Sequence, residues 1–157
     1  MDASRSGFDN ISLRILSELQ ANARTSFTEI GRRIGLTAPA VAERVHRMEE
    51  EGLITGYHAE VNPRKLGLPI TVFIQVVSKN GQCAPISEFA LRQRGVIECC
   101  HITGDRDVFI KAALDSIEAV EVLVNNLSLF GNVTTSIVLS SWTNPVTGID
   151  DPRQNAL

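Results

Sequence analysis

The chain holds only three cysteines, Cys83, Cys99 and Cys100, an odd number with two of them adjacent. No C-x-x-C pair and no pair of histidines at ligand spacing accompanies them, which disfavours a zinc module or a redox motif and leaves reduced structural thiols as the expectation. Also missing is any apolar run approaching the roughly 20 residues that cross a bilayer. The first six residues carry no apolar leader, so a soluble, cytoplasmic protein without a membrane partner is expected. His46, His58 and His101 are scattered along the chain. With no nucleophile triad, phosphate-binding glycine loop or pair of catalytic carboxylates, neither an enzymatic activity nor a cofactor or metal is expected.

What is present suffices for a core. At 157 residues and 43% hydrophobic, the chain can form one ordinary domain or two small ones. Its formal charge of -3 argues weakly against a nucleic-acid partner until the charges are located. Residues 24 to 47 carry Arg24, Arg32, Arg33, Arg44 and Arg47 against only Glu29 and Glu43, whereas residues 66 to 157 hold six basic and nine acidic side chains. The acidity belongs to the second half.

Residues 9 to 54 read as three short helices. Asp9 is a candidate N-cap ahead of Ile11, Ile15, Leu16 and Leu19, which share one face at helical spacing. Ser26 and Glu29 have the spacing of a capping box before Ile30 and Ile34, with Phe27 on the same stripe. Gly35 suits the left-handed stop, Leu36 the buried turn, and Thr37 the cap of a third helix with Pro39 in its first turn. That helix buries Val41, Val45 and Met48 and ends at Gly52. A glycine-ended helix, a three-residue turn and a new capped helix make a helix-turn-helix. The loose alternation of Leu53, Ile54, Tyr57, Ala59 and Val61 predicts a short strand or wing. Asn62, Pro63, Gly67 and Pro69 then mark a break between domains.

From Ile70 the period changes. Strands are predicted over 70–77, 96–103, 108–114 and 133–140. A helix fills 84–94, and Ile117, Val120, Leu123, Val124 and Leu127 define another. The order βαββαβ is the ferredoxin-like arrangement, in which both helices cover one sheet face. The fold class is therefore α+β, a winged helix-turn-helix followed by a ferredoxin-like βαββαβ domain. The expected divisions are 1–57 for the first domain, 58–69 for a hinge strand and linker, 70–140 for the second domain and 141–157 for a tail. Phe73 and Val77 leave the uncovered sheet face partly apolar, and self-association is its simplest cover.

Several stretches together resemble the Lrp/AsnC (leucine-responsive and asparagine regulator) family over about residues 8 to 140. They are Phe8-Asp9 through Leu19 with Asn22-Ala23-Arg24, Gly35-Leu36-Thr37 running through Arg44-Val45-His46-Arg47-Met48-Glu49, and Gly52 to Tyr57 with Asn62-Pro63. In the second domain they are Glu98-Cys99-Cys100-His101 leading to Gly104-Asp105-Arg106-Asp107, and Thr135 to Leu139. Each is weak alone, but their order and spacing together are specific. The resemblance implies a DNA-binding transcriptional regulator with a RAM (ACT-like) second domain that pairs into dimers and often into larger rings such as an octamer. It also implies amino-acid effectors bound between dimers near the Gly-Asp-x-Asp turn. The chain departs from the family at Glu43, where a basic residue is frequent, and at Arg106, where an aromatic or apolar one is.

On the third helix, Thr37 caps and Ala38, Ala40, Glu43, Arg44 and Arg47 face outward. Small residues permit close approach to a major groove of double-stranded DNA, Arg forks onto guanine and Glu accepts from cytosine. Arg24, Arg32 and Arg33 suit phosphate, though Arg32 or Arg33 equally suits a surface ion pair. Glu49-Glu50-Glu51 is expected to point away from DNA, with Arg47 partly neutralising it. Gly104, Asp105, Arg106 and Asp107 read as a plain hairpin turn by composition. With the resemblance they read as an effector loop, in which a carboxylate takes an ammonium and Arg106 a carboxylate. Ile102, Thr103, Ile117 and Ser136 are carried over as neighbours of that pocket. The competing class is a sirohaem-decarboxylase-like enzyme on the same architecture, for which only His101 and Arg106 offer themselves.

Overall fold

The computed structural model describes residues 7–142. These fall into two compact units, the first reaching Ala59 and the second spanning Glu60–Ser141. Beyond Trp142, the tail expected from the sequence lies outside the described residues.

In the first unit α1 spans Asn10–Ala21, α2 Phe27–Ile34 and α3 Ala38–Glu50. Each begins at a side-chain cap, which satisfies a backbone N–H that the helix itself leaves unpaired. Asp9 accepts from Ser12 N at 2.8 Å, Ser26 from Glu29 N at 3.2 Å and Thr37 from Ala40 N at 3.4 Å. Ile15, Leu19, Ile30, Val41, Val45 and Met48 form the buried core of the three helices. Two expectations need correction. The capping box is half formed, because the Glu29 carboxylate turns to Arg32 and Arg33. Phe27, at the first helical position, remains 38% exposed and lines a surface hollow with Leu19, Glu49 and Tyr57.

The turn between α2 and α3 is tight because α2 ends against its own carbonyls. Gly35 N and Leu36 N both donate to Gly31 O at 2.9 Å. A Cβ at Gly31 would stand 2.4 Å from the Leu36 carbonyl oxygen, so only glycine fits. Gly35, at φ 80°, takes the left-handed stop expected of it. After α3, Leu53 N and Ile54 N both donate to Met48 O. No strand or wing forms over residues 53–62. A strand needs a neighbour for its N–H and C=O groups, and none of the described sheet's strands pairs with this segment.

The second unit opens with a 3₁₀ turn over Pro63–Leu66. It continues as β1 Ile70–Ser78, α4 Ala84–Leu91, β2 Val96–His101, β3 Val108–Leu114, α5 Ile117–Ser128 and β4 Gly131–Ile137. The strands lie in the order β2-β3-β1-β4, every neighbour antiparallel. This is the ferredoxin-like order. Val72, Ile74 and Val76 of β1, with Val108, Ile110 and Ala112 of β3, pack against Ile86, Ala90, Val120, Leu123 and Leu127 of the helices. On the opposite face Phe73, Gln75 and Val77 are half-buried, and the Phe73 and Phe109 rings lie 5.1 Å apart. Some ends shift: α4 stops at Leu91 and β2 at His101. β4 starts at Gly131, opposite Ser78, where a Cβ would meet Val77 O at 1.9 Å.

Candidate nucleic-acid interface and effector turn

With Val41, Val45 and Met48 buried, α3 turns Glu43, His46 and Arg47 to solvent, and Ala38 and Ala40 are partly exposed near its start. Ion pairs fix where the charges sit. Arg44 does not project freely. Its Nη1 donates to Asp9 Oδ1 and Oδ2 at 2.8 and 2.7 Å and to Ser12 Oγ at 3.0 Å, tying α3 to the start of α1. Asp9 is held well below its usual range, to about 2, first by the Ser12 N–H and then by Arg44.

Arg33 reaches Glu18 at 2.5 Å and Glu29 at 2.9 Å, joining α2 to α1, while Arg32 grips Glu29 at 2.8 and 3.0 Å. These two guanidiniums hold Glu29 down to about 2. Arg47 donates to Glu51 at 2.6 Å, which neutralises part of the acidic end of α3. Tyr57 OH donates to Glu49 at 2.8 Å; burial and that carboxylate push the phenol up to about 12. His46 stands 3.3 Å from Glu50. Arg24 is exposed, and its guanidinium has no ion-pair partner among the described residues. Thr37 is occupied as the α3 cap.

In the second unit the effector candidates divide between two ends of the sheet. The turn at 102–107 joins β2 to β3 beside Val76 and Val108. Thr103, Gly104 and Asp105 are exposed, while Ile102 and Arg106 are partly covered. Asp107 is bound from three sides: its Oδ2 accepts from Ser78 N at 2.7 Å, its N–H donates to Val76 O, and its C=O accepts from Ile102 N. Ile117 follows β3, whose far end pairs Leu114 with Ile70. That is about 20 Å from the turn at strand rise. Ser136 lies across from Phe73, on the open sheet face. A single chain does not gather all eight residues.

A family profile described as the AsnC-type helix-turn-helix domain matches residues 8–49, and one described as the Lrp/AsnC ligand binding domain matches residues 71–145. The chain belongs to the Lrp/AsnC family of transcriptional regulators. The Lrp/AsnC regulator LrpC of Bacillus subtilis is 33% identical over 132 residues, 84% of this chain and 92% of that protein. Its solved structure superposes with a TM-score of 0.81 at 32% identity, covering 87% of this chain and 97% of that one. The regulatory protein AsnC of Escherichia coli is 31% identical over 140 residues, 88% of this chain and 92% of that protein. A Neisseria meningitidis transcriptional regulator solved with L-Met superposes at TM-score 0.79 and 25% identity, covering 88% and 94% of the two chains. The LrpC and AsnC relatives are named as regulators, and the decarboxylase alternative finds no support. Among the described residues, no helix is long and apolar enough to cross a membrane.

Three functional details escape a sequence reading of this Lrp/AsnC chain: the Arg44 tether, the Asp107 bond to Ser78, and the need for Gly31. Only the last left a local signal. A glycine inside an eight-residue helix costs about 1 kcal/mol against alanine, so its presence there calls for a packing reason.

Proposed function

We propose that this chain binds double-stranded DNA sequence-specifically through α3, as a homodimer that assembles further, and that an amino acid or related metabolite tunes that binding. The observation that carries the reading is α3 itself. Its outward face joins partly exposed Ala38 and Ala40 to exposed Glu43, His46 and Arg47, the mixture of small and hydrogen-bonding groups that a major groove accepts. Arg24, exposed beside the start of α2, suits a phosphate.

The open sheet face of the second unit supports dimer formation. Phe73 and Phe109 stack on it beside Val77, an apolar patch that a second copy would remove from water. A two-fold dimer presents two copies of α3 to a pseudo-palindromic site. The separation of the 102–107 turn from Ile117 and Ser136 supports an effector site completed by another copy, up to an octamer. The L-Met bound in the Neisseria meningitidis relative supports an amino acid as the ligand class.

Selection of bound sequences from a randomised duplex library, with and without each amino acid, tests the reading. An enriched palindrome whose occupancy changes with one amino acid is the expected result, alongside dimers or larger species in light scattering. A chain that enriches no sequence contradicts it.

A further inference from the structure

We propose that Glu43 is the specificity-determining side chain of α3, accepting a hydrogen bond from the exocyclic amine of cytosine in a C·G pair, and that Arg44 is a positioning residue. The proposal rests on the reading of α3 as the DNA-contacting helix and names the base it selects.

All but one of the described carboxylates in the first unit have a partner. Asp9 is held by Arg44, Glu18 by Arg33, Glu29 by Arg32 and Arg33, and Glu51 by Arg47. Glu49 accepts from Tyr57, and Glu50 faces His46 at 3.3 Å. Glu43 alone has no partner among the described residues of this unit, although the same helix carries two arginines and a histidine. It also points away from the core. Glu43 is two residues from Val41 and two from Val45, both buried, and at about 100° per residue that places it opposite the buried stripe.

An unneutralised carboxylate there repels phosphate and lowers affinity for every DNA sequence. It is tolerable in a DNA-reading face if a base edge rewards it selectively. A carboxylate only accepts hydrogen bonds. In the major groove guanine shows two acceptors, thymine one, and adenine sets its amine beside the N7 acceptor. Cytosine alone offers a donor with no acceptor next to it on the same base. Glu43 is therefore matched to cytosine and repelled by the other three, while the small side chain of Ala40, three residues before it, lets the helix approach closely.

Arg44 completes the assignment by exclusion. Its Nη1 contacts both Asp9 oxygens and Ser12 Oγ, so turning that nitrogen to guanine would break three hydrogen bonds that hold α3 against α1. Its contribution is to hold α3 as a whole against α1.

Library selection on the full chain, followed by affinities for the best site and its single-base variants, tests this. Wild type is expected to prefer cytosine at one position per half-site by about 10- to 100-fold. Glu43→Ala should abolish that preference while binding random duplex more tightly, the repulsive charge being gone. Glu43→Gln should move the preferred base at that position from cytosine to adenine, whose N6 and N7 an amide fits. Arg44→Ala should weaken all sequences and keep the base preferences. Circular dichroism on each variant confirms that the helices persist, since Glu43 is exposed. A selective wild type whose cytosine preference survives in Glu43→Ala overturns this assignment alone. A wild type that binds no duplex overturns the DNA reading and this proposal with it.

Discussion

One nitrogen of Arg44 touches both carboxylate oxygens of Asp9, at 2.8 and 2.7 Å, across 35 residues of sequence. The same Asp9 caps α1 through Ser12 N. One side chain thus caps the start of α1 and anchors α3, the helix proposed to face DNA. The relative contributions follow from exposure. The ion-pair partners are 33% and 52% exposed, and an exposed pair contributes about 0.2 to 1 kcal/mol. Loss of an N-cap costs about 0.5 to 2 kcal/mol.

The first prediction is an order of stabilities. Asp9→Ala loses cap and ion pair and should be the least stable, by about 1 to 2 kcal/mol. Asp9→Asn keeps a cap and should match Arg44→Ala, each down by less than about 1 kcal/mol. Urea unfolding followed by circular dichroism measures this, and the double variant Asp9→Asn/Arg44→Ala should be no worse than either single one. Additive losses would show that the two side chains act separately.

The second prediction concerns acid. Asp9 and Glu29 are both depressed to about 2 from ordinary values of 3.8 and 4.5. A depressed carboxylate stabilises fully above its unfolded pKa, and that contribution disappears as pH falls through the folded one. The first unit should therefore lose stability between about pH 4.5 and pH 2. Salt should separate the two groups. Glu29 owes its shift to Arg32 and Arg33 on an exposed surface, where a Debye length of about 3 Å at 1 M screens the pair. Asp9 owes its shift first to a backbone N–H, a short-range bond that salt leaves in place. In 1 M salt, Glu29→Gln should resemble wild type across this range, while Asp9→Asn should still flatten the profile.

The third prediction compares two glycines of one turn, in which Gly35 N donates to Gly31 O at 2.9 Å. Gly31→Ala places a Cβ 2.4 Å from Leu36 O, a backbone atom that cannot step aside. Overpacking of this kind costs about 1 to 3 kcal/mol, more than the roughly 1 kcal/mol an alanine gains in a helix. Gly35→Ala meets nothing within 4 Å but must hold φ at 80°, a strain of about 1 to 2 kcal/mol. Both variants should unfold earlier than wild type. Only Gly31→Ala should also reduce DNA affinity at a temperature where it is folded, because α3 has to move off α2.

Local chemistry was readable in the residues themselves. Asp9, Ser26 and Thr37 cap the three helices expected of them, and the strand order follows from the βαββαβ pattern. Contacts distant in sequence were not. Glu18 meets Arg33 across 15 residues and Asp9 meets Arg44 across 35, and no periodicity encodes such partners. Gly131 hid the start of β4 because glycine is depleted in strands, yet its missing Cβ is what allows the close pairing with Ser78. The effector candidates show the same limit. Ile117 and the 102–107 turn flank one short strand in sequence, and that strand carries them to opposite ends of the sheet.

The last prediction separates two carboxylates of the turn. Asp107 accepts from Ser78 N at 2.7 Å, so it closes the end of β1, and its removal leaves that part-buried N–H unpaired. Asp107→Ala should cost about 1 to 3 kcal/mol, while Asp107→Asn, which retains a side-chain acceptor, should cost less. Asp105 is exposed, with no bonded partner for its carboxylate among the described residues, and in the proposed effector site it is the acceptor open to a ligand ammonium. Asp105→Ala should leave thermal unfolding unchanged and weaken binding of the amino acid that most raises the melting temperature of wild type. A charge-assisted hydrogen bond of about 1.5 to 3 kcal/mol corresponds to roughly 10- to 150-fold in affinity by calorimetry. Equal affinity in Asp105→Ala and wild type would remove the ammonium from this carboxylate. Loss of affinity in Asp107→Asn at preserved stability would assign it to Asp107 instead, because only the charge then differs.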